Sequence, residues 1–478
     1  VSAAAAAAQP DWFDRTGEAL ADRVNPIIVK EVRQGLRTRV FWVFFTLLLV
    51  ANLFISLGFF AAADSGGSSG RSAFGWFFSC LALVQFFVIP YSAYRSMARE
   101  TEEETWVLLT LTGLGPRRIL LGKLGSYVLQ GSLYSSAAAP FLLFSYYLNG
   151  IDLPTIIMAV VASVAYQVFL VSVSVSLATM ADSRIVRALL HFVLLGLLML
   201  GLFTGIGVAA GLAEASRRLF GSGDFWLVSS SVVFALLTTG LVLFETAAAR
   251  LSLPTEDYAR GPRLGWLAQL AGMLGFFTWA FVSSNEAEFL PAASVGLSAY
   301  ALLVGVMVTS DRDGMARSHW AKAGRYALLR PGALRGFVLV VLSLLVGCAL
   351  VLGLSLNSTA TPEQVAVVVA APAFALVYLA ASNLVARWVP HPPYQTPAMV
   401  RLVFLGLVVL GTGLPPLLGE LLAEADDERF NLLNPVLGLV NIGKAGLSAE
   451  PLVVVVWGVA ALLGTLAFIS LRRRDREV

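Results

Sequence analysis

A polytopic all-α membrane protein is the fold class the sequence predicts, on three observations: its composition, apolar runs of span length, and a one-sided distribution of positive charge. Hydrophobic residues make up 58% of the chain and charged residues only 13%, about half the charged share expected of a soluble domain. A bilayer core takes about 20 apolar residues per helix, and that measure predicts a transmembrane helical bundle of about twelve spans. Their expected limits are 40–63, 74–94, 124–148, 155–181, 188–213, 225–247, 265–284, 291–310, 336–356, 365–386, 400–422 and 451–471. With the N-terminus inside, all but five of the 33 Lys and Arg residues fall in inner segments. The exceptions are Arg71, Arg217, Arg218, Arg429 and Lys444. Positive charge is retained on the cytoplasmic side, so an even number of spans with cytoplasmic N- and C-termini is expected, in a bacterial inner (cytoplasmic) membrane.

In chain order, residues 1–24 read as a cytoplasmic tail, because VSAAAAAAQP has neither a basic start nor a Leu-rich core of signal-peptide type. Asn25 and Pro26 then supply an N-cap and a first helical position. In the short helix that follows, Ile28, Val32, Gly35 and Leu36 share one face while Lys30, Arg33 and Arg37 face away. This is a basic amphipathic helix of the kind that lies on an inner leaflet. Between the second and third spans comes a charged loop, Arg95 to Lys123, in which Arg99–Glu104 reads as an acidic helical turn. An apolar helix face carrying Trp106 and Leu109 follows, and Gly115-Pro116 breaks it.

Cut near Leu251, the chain divides into a first half, 25–250, and a second half, 251–478, each with six spans. In each half the longest inner loop follows the second span and the longest outer loop precedes the last. Six is even, so the halves are expected as a 6+6 parallel repeat. In the last outer loop Phe430–Gly443, with Leu433, Pro435 and Leu437, is too short to span and too apolar to stay in water. It is expected to dip into the membrane or pack on the helix mouths, since non-spanning backbone at membrane depth must be buried in protein. Cys80 and Cys348 lie inside apolar runs and His191, His319 and His391 are scattered, so neither disulfides nor a metal site are expected. A net charge of +3 gives no footprint for nucleic acid.

The charged loop resembles the coupling segment of ATP-binding-cassette (ABC) permeases of the type-two exporter class. The agreement runs without a gap over Glu100, Glu102, Thr105, Leu108, Leu109, Leu111, Thr112, Leu114, Ile119, Leu120, Gly122 and Lys123. Thr101, Glu104 and Gly113 depart from the family pattern at a basic residue, a glycine and a proline. The stretch from Asn25 through Pro26, Ile28, Lys30 and Arg33 also resembles the interfacial elbow helix with which these permeases begin. The resemblance implies a permease subunit whose coupling residues (Glu100, Glu102, Thr105, Trp106, Leu109, Thr112, Gly122 and Lys123) dock on a separate ABC ATPase that holds the ATP and Mg. It further implies that the segment around Leu433, Pro435 and Leu437 is a re-entrant outer gate. One chain could form the pathway as a pseudo-dimer, or two as a homodimer, among membrane lipid.

Two features of the residues bear on the energy source. No Asp, Glu, Lys or Arg stands at a span centre, whereas ion-coupled transporters carry such groups within the membrane. The segment Gly115–Lys123 is no phosphate-binding loop, because its glycines are too far apart and Leu124 follows the lysine where Ser or Thr is needed. The chain is therefore expected to be non-enzymatic and cofactor-free, with hydrolysis in a partner. A membrane-embedded lipid-modifying enzyme and a non-transporting anchor of a larger assembly are the alternatives; a neighbouring gene for an ABC ATPase discriminates against both.

The charge distribution makes a topology prediction. Cysteines placed at Ser68 and Asn357 should react with an impermeant reagent on intact cells, whereas cysteines at Ser96, Ser318 or within Arg472–Arg474 should be spared. Labelling at position 318 would overturn the second-half topology.

Overall fold

The computed structural model describes residues 26–63, 70–103, 115–148, 151–180, 184–252, 257–312, 327–392, 395–422, 431, 434–445 and 450–477. Among the described residues there are helices and turns and no strands. The chain divides into two compact units, Val1–Ser252 and Leu253–Val478.

The first unit starts with α1 (Pro26–Leu36) and α2 (Arg39–Ala63). They meet at a turn where Thr38 Oγ1 accepts from the Phe41 N–H and caps α2. Next come α3 (Gly70–Glu102), α4 (Pro116–Tyr147), α5 (Leu153–Thr179), α6 (Arg184–Leu219) and α7 (Gly223–Leu251). Helix α5 sits at the middle, packed on α3, α4, α6 and α7. Its Ser172, Ser174 and Ser176 are buried, and Ser172 and Ser174 return their hydroxyls to the carbonyls of Val168 and Leu170. A polar side chain is thereby satisfied within its own helix. Gly201 and Gly205 of α6 admit Tyr166 and Leu170 of α5 and Phe86 of α3, whereas Gly207 and Gly211 face open space. Of the two small-residue pairs in α6, the first is the packing seam.

The second unit holds α8 (Arg260–Ser284), α9 (Phe289–Thr309), a 3₁₀ turn at Ala327–Leu329, α10 (Ala333–Leu356) and α11 (Pro362–Trp388). It closes with α12 (Thr396–Leu422), the short α13 (Leu437–Ala445) and α14 (Glu450–Glu477). Helix α11 is the hub here, packed on α9, α10, α12, α13 and α14. Its start is set by a capping box between Thr361 and Gln364, with Pro362 at the first helical position. Along it Ala370, Ala371, Ala373, Ala375, Ala380 and Ala386 are buried, and such small side chains let neighbouring helices approach.

Among the described residues each unit thus has six long helices, and the second long helix of each contains a π-helical segment, Leu83–Val88 in α3 and Ala301–Gly305 in α9. Among the described residues eleven helices are long and apolar enough to cross a membrane, by length and composition. The chain is an integral membrane protein. The difference from about twelve is α4, expected as a span over 124–148. It is a continuous 32-residue helix, but Ser126, Gln130, Ser135 and Ser145, buried within the unit, and further Ser, Gly and Tyr residues lower its hydropathy. Helix boundaries shift as well. Helix α3 runs on to Glu102 and α4 starts at Pro116, so the loop expected over 95–123 is much shorter, and Gly122 and Lys123 lie inside a helix rather than on a linker.

One contact in the second unit allows no side chain. A Cβ on Gly336 of α10 would collide with the backbone carbonyl of Val308 at the end of α9. Backbone cannot swing aside as a flexible side chain can. Gly336→Ala should therefore lower the thermal unfolding midpoint in detergent, by about 1–3 kcal/mol of stability, while Gly353→Ala in the same helix, which meets open space, should leave it unchanged.

Candidate functional site

The expected coupling residues draw attention to the ends of α3 and α4 and to α1. Ser92, Ser96 and Glu100 follow one another at four-residue steps along α3, and Lys123 and Tyr127 do so along α4, so each set shares one helix face. The two faces meet. Tyr127 donates its hydroxyl to the Ser92 carbonyl (3.3 Å), and Lys123 Nζ donates to Ser96 Oγ (3.1 Å) and to Glu100 Oε1 (2.6 Å). Glu31 of α1 approaches the same ammonium at 3.5 Å. Lys123 is 1% exposed, so one buried cation joins three helices.

The rest of α1 is shaped to this arrangement. Ile28 packs over Gly125 and the Gln130 side chain over Gly35, which brings α1 close along α4. Lys30 and Arg33 of the expected elbow are exposed on the other side. Pro26 is the first residue of α1, and Asn25 lies outside the described residues.

Glu100 and Glu102, expected as acceptors for a partner's basic residues, each have a basic partner within the chain. Glu100 is held by Lys123, and Glu102 pairs with Arg187 of α6 at 2.8 Å. Both keep part of their surface, with side chains 22% and 58% exposed, but each already has an opposite charge within the chain. Lys123 is not a surface contact either. Thr105, Trp106, Leu109 and Thr112 lie outside the described residues.

Two further residues at this end have partners the sequence did not indicate. His191 sits edge-on to Tyr91 and Tyr94, with ring centroids 5.6 Å from each. Glu245 at the end of α7 accepts from Arg117 at 2.9 Å.

The second unit builds a corresponding tie from different residues, which sequence reasoning missed. Arg263, in the first turn of α8, is 2% exposed. It donates to Asp311 Oδ2 (3.1 Å), to the carbonyls of Leu328 (2.8 Å) and Gly332 (3.0 Å), and to that of Arg330. Asp311 also accepts from the Tyr258 hydroxyl (2.9 Å) and the Gly332 N–H (3.0 Å). Burial, and then the Asp311 carboxylate, push the Tyr258 hydroxyl above its ordinary pKa. The visible signals were an Arg just ahead of one apolar run and an Asp just after the next.

At the opposite end of this unit, the Asn434 side chain donates to the Thr412 carbonyl and accepts from the N–H groups of Val436 and Leu437. This turn contains Pro435 and starts α13, which packs on α11, with Gly443 next to Val367. Leu437 is half-buried and Leu433 lies outside the described residues. The segment is a short helix resting on the mouth of the hub helix.

Charge burial sets the energetic ranking of these pairs. Lys123→Met should leave Glu31 and Glu100 facing apolar surface and cost about 2–3 kcal/mol, less than a wholly buried pair because both carboxylates keep some exposure. Arg187→Gln, which removes a more exposed partner, should cost under about 1 kcal/mol. Thermal unfolding of the two variants in one detergent checks the order, and equal losses would overturn it.

Compared with models of known families and with curated proteins, the chain matches none.

Proposed function

We propose that this chain is the permease subunit of an ATP-driven ABC exporter, driven by a separate ATPase that docks on the segment between α3 and α4. The observation that carries the reading is the Lys123 tie. A motor that pushes on a short cytoplasmic segment needs that segment anchored to helices that move as one body. Here the helices on either side of residues 104–114 are joined at a single buried ammonium, and α1 is joined with them. Displacement of the segment is delivered to α1, α3 and α4 together, and α4 carries it along 32 residues. The resemblance of Glu100 to Lys123 to the type-two coupling pattern supports the same assignment.

In this reading Glu100 and Lys123 are positioning residues, and the docking contacts come from Trp106 and Leu109. Large apolar side chains of this kind are the usual anchors of an interface, and truncating one commonly costs about 2 kcal/mol or more. The substrate pathway uses the six-helix units, and α13 over the end of α11 serves as its outer gate.

Trp106→Ala combined with Leu109→Ala should leave a folded, membrane-inserted chain whose recovery of the ATPase in a pull-down falls at least about tenfold, at roughly 1.4 kcal/mol per decade. A double variant that retains the ATPase and transports normally would overturn this docking site and move the test to residues 311–335.

A further inference from the structure

We infer that the outward face of α1 is a binding site for the phosphate headgroup of an anionic phospholipid. The single acidic residue of α1, Glu31, is turned inward and committed to Lys123. Lys30, Arg33 and Arg37 are left on the opposite side, all exposed, and among the described residues they form no ion pair. A helix that spends its one negative charge on its buried face is cationic on the other.

That face also carries an open depression of about 530 Å³, lined by Val29, Lys30, Arg33, Gln34, Arg37 and Thr38. Guanidinium groups match phosphate oxygens in geometry, and Gln34 adds a neutral amide donor. The continuation of the chain indicates a lipid rather than a free phosphate. Immediately after Arg37 and Thr38, α2 presents Val40, Trp42, Val43 and Leu47 as exposed apolar side chains. A headgroup in the depression would lay its acyl chains along that surface, with Trp42 at the level where indoles favour the membrane interface. The binding requires no ATPase and stands whether or not the chain exports.

The probe is phosphatidylglycerol, compared with phosphatidylcholine, in native mass spectrometry of the full chain in a neutral detergent. Each basic residue near an anionic surface contributes about a five-fold change in binding. Arg33→Gln should therefore reduce retained phosphatidylglycerol about five-fold, and Lys30→Gln/Arg33→Gln/Arg37→Gln should abolish the preference over phosphatidylcholine. The charge-preserving variant Lys30→Arg/Arg33→Lys/Arg37→Lys should keep it. These side chains are exposed, so the unfolding midpoint in lipid-free detergent should stay near that of the unaltered chain, and the single variant carries the test if the triple one is unstable. Retention of the preference by the triple variant would overturn the site. Displacement of phosphatidylglycerol by millimolar inorganic phosphate would also overturn it, by showing that the depression reads the phosphate without the lipid.

Discussion

An ammonium removed from water must be neutralised where it sits, and the first unit is arranged around that demand. Burying an unpaired lysine costs several kcal/mol, so the position of Lys123 dictates what approaches it: Glu100 and Ser96 from α3 and Glu31 from α1. None of these three elements could be rotated or slid by a turn without leaving the charge exposed to apolar surface. The tie is weaker as a source of stability than as a specification of register, since ion pairs of this kind roughly balance their own desolvation. Arg263 imposes the same discipline on the second unit, with Asp311 and three backbone carbonyls as its acceptors.

Away from these polar ends, the membrane interior offers little hydrophobic drive between helices, and close fit takes its place. Gly201 and Gly205 receive the side chains of α3 and α5, and Gly336 lets α10 touch the backbone of α9. Deep inside the first unit Gln85 donates to Ser135 Oγ and the Gly131 carbonyl, and Gln167 donates to the Tyr127 carbonyl. Both amides converge on the turn of α4 around Gly131, where a Cβ would collide with Gln167. The polar residues that lower the hydropathy of α4 are thus the residues that fix its neighbours.

Much of this fold was legible in the sequence because its two strongest signals are local. Apolar run length located the spans, and the acid-then-apolar pattern after the second span located the segment at which α3 ends. The partners of Glu100, Glu102 and Lys123 were not legible. Whether a carboxylate near a helix end meets a partner protein or a buried lysine 23 residues later depends on tertiary packing. That α3 continues unbroken to Glu102 was missed for a related reason: Arg99–Glu104 read as a separate helical turn within a charged loop, yet Ser92, Ser96 and Glu100 form a single helical face turned to Lys123. Arg263 stands just ahead of an apolar run, and only the fold back of residues 328–332 gives it a cage of carbonyls.

The π-helical turns have a consequence for helix phase. A segment such as Leu83–Val88 holds one residue more than an α-helix would over the same rise, and one residue of an α-helix corresponds to about 100° of rotation. Everything C-terminal to it in α3, including Ser96 and Glu100, owes its azimuth to that surplus. Winding the same residues as an unbroken α-helix would turn the lower half of α3 about a quarter-turn away from Lys123, whereas removing a single residue there would restore the α-helix with that half still facing it. The surplus acts as a phase setting that is independent of the chemistry at either end, and α9 carries the same device at Ala301–Gly305.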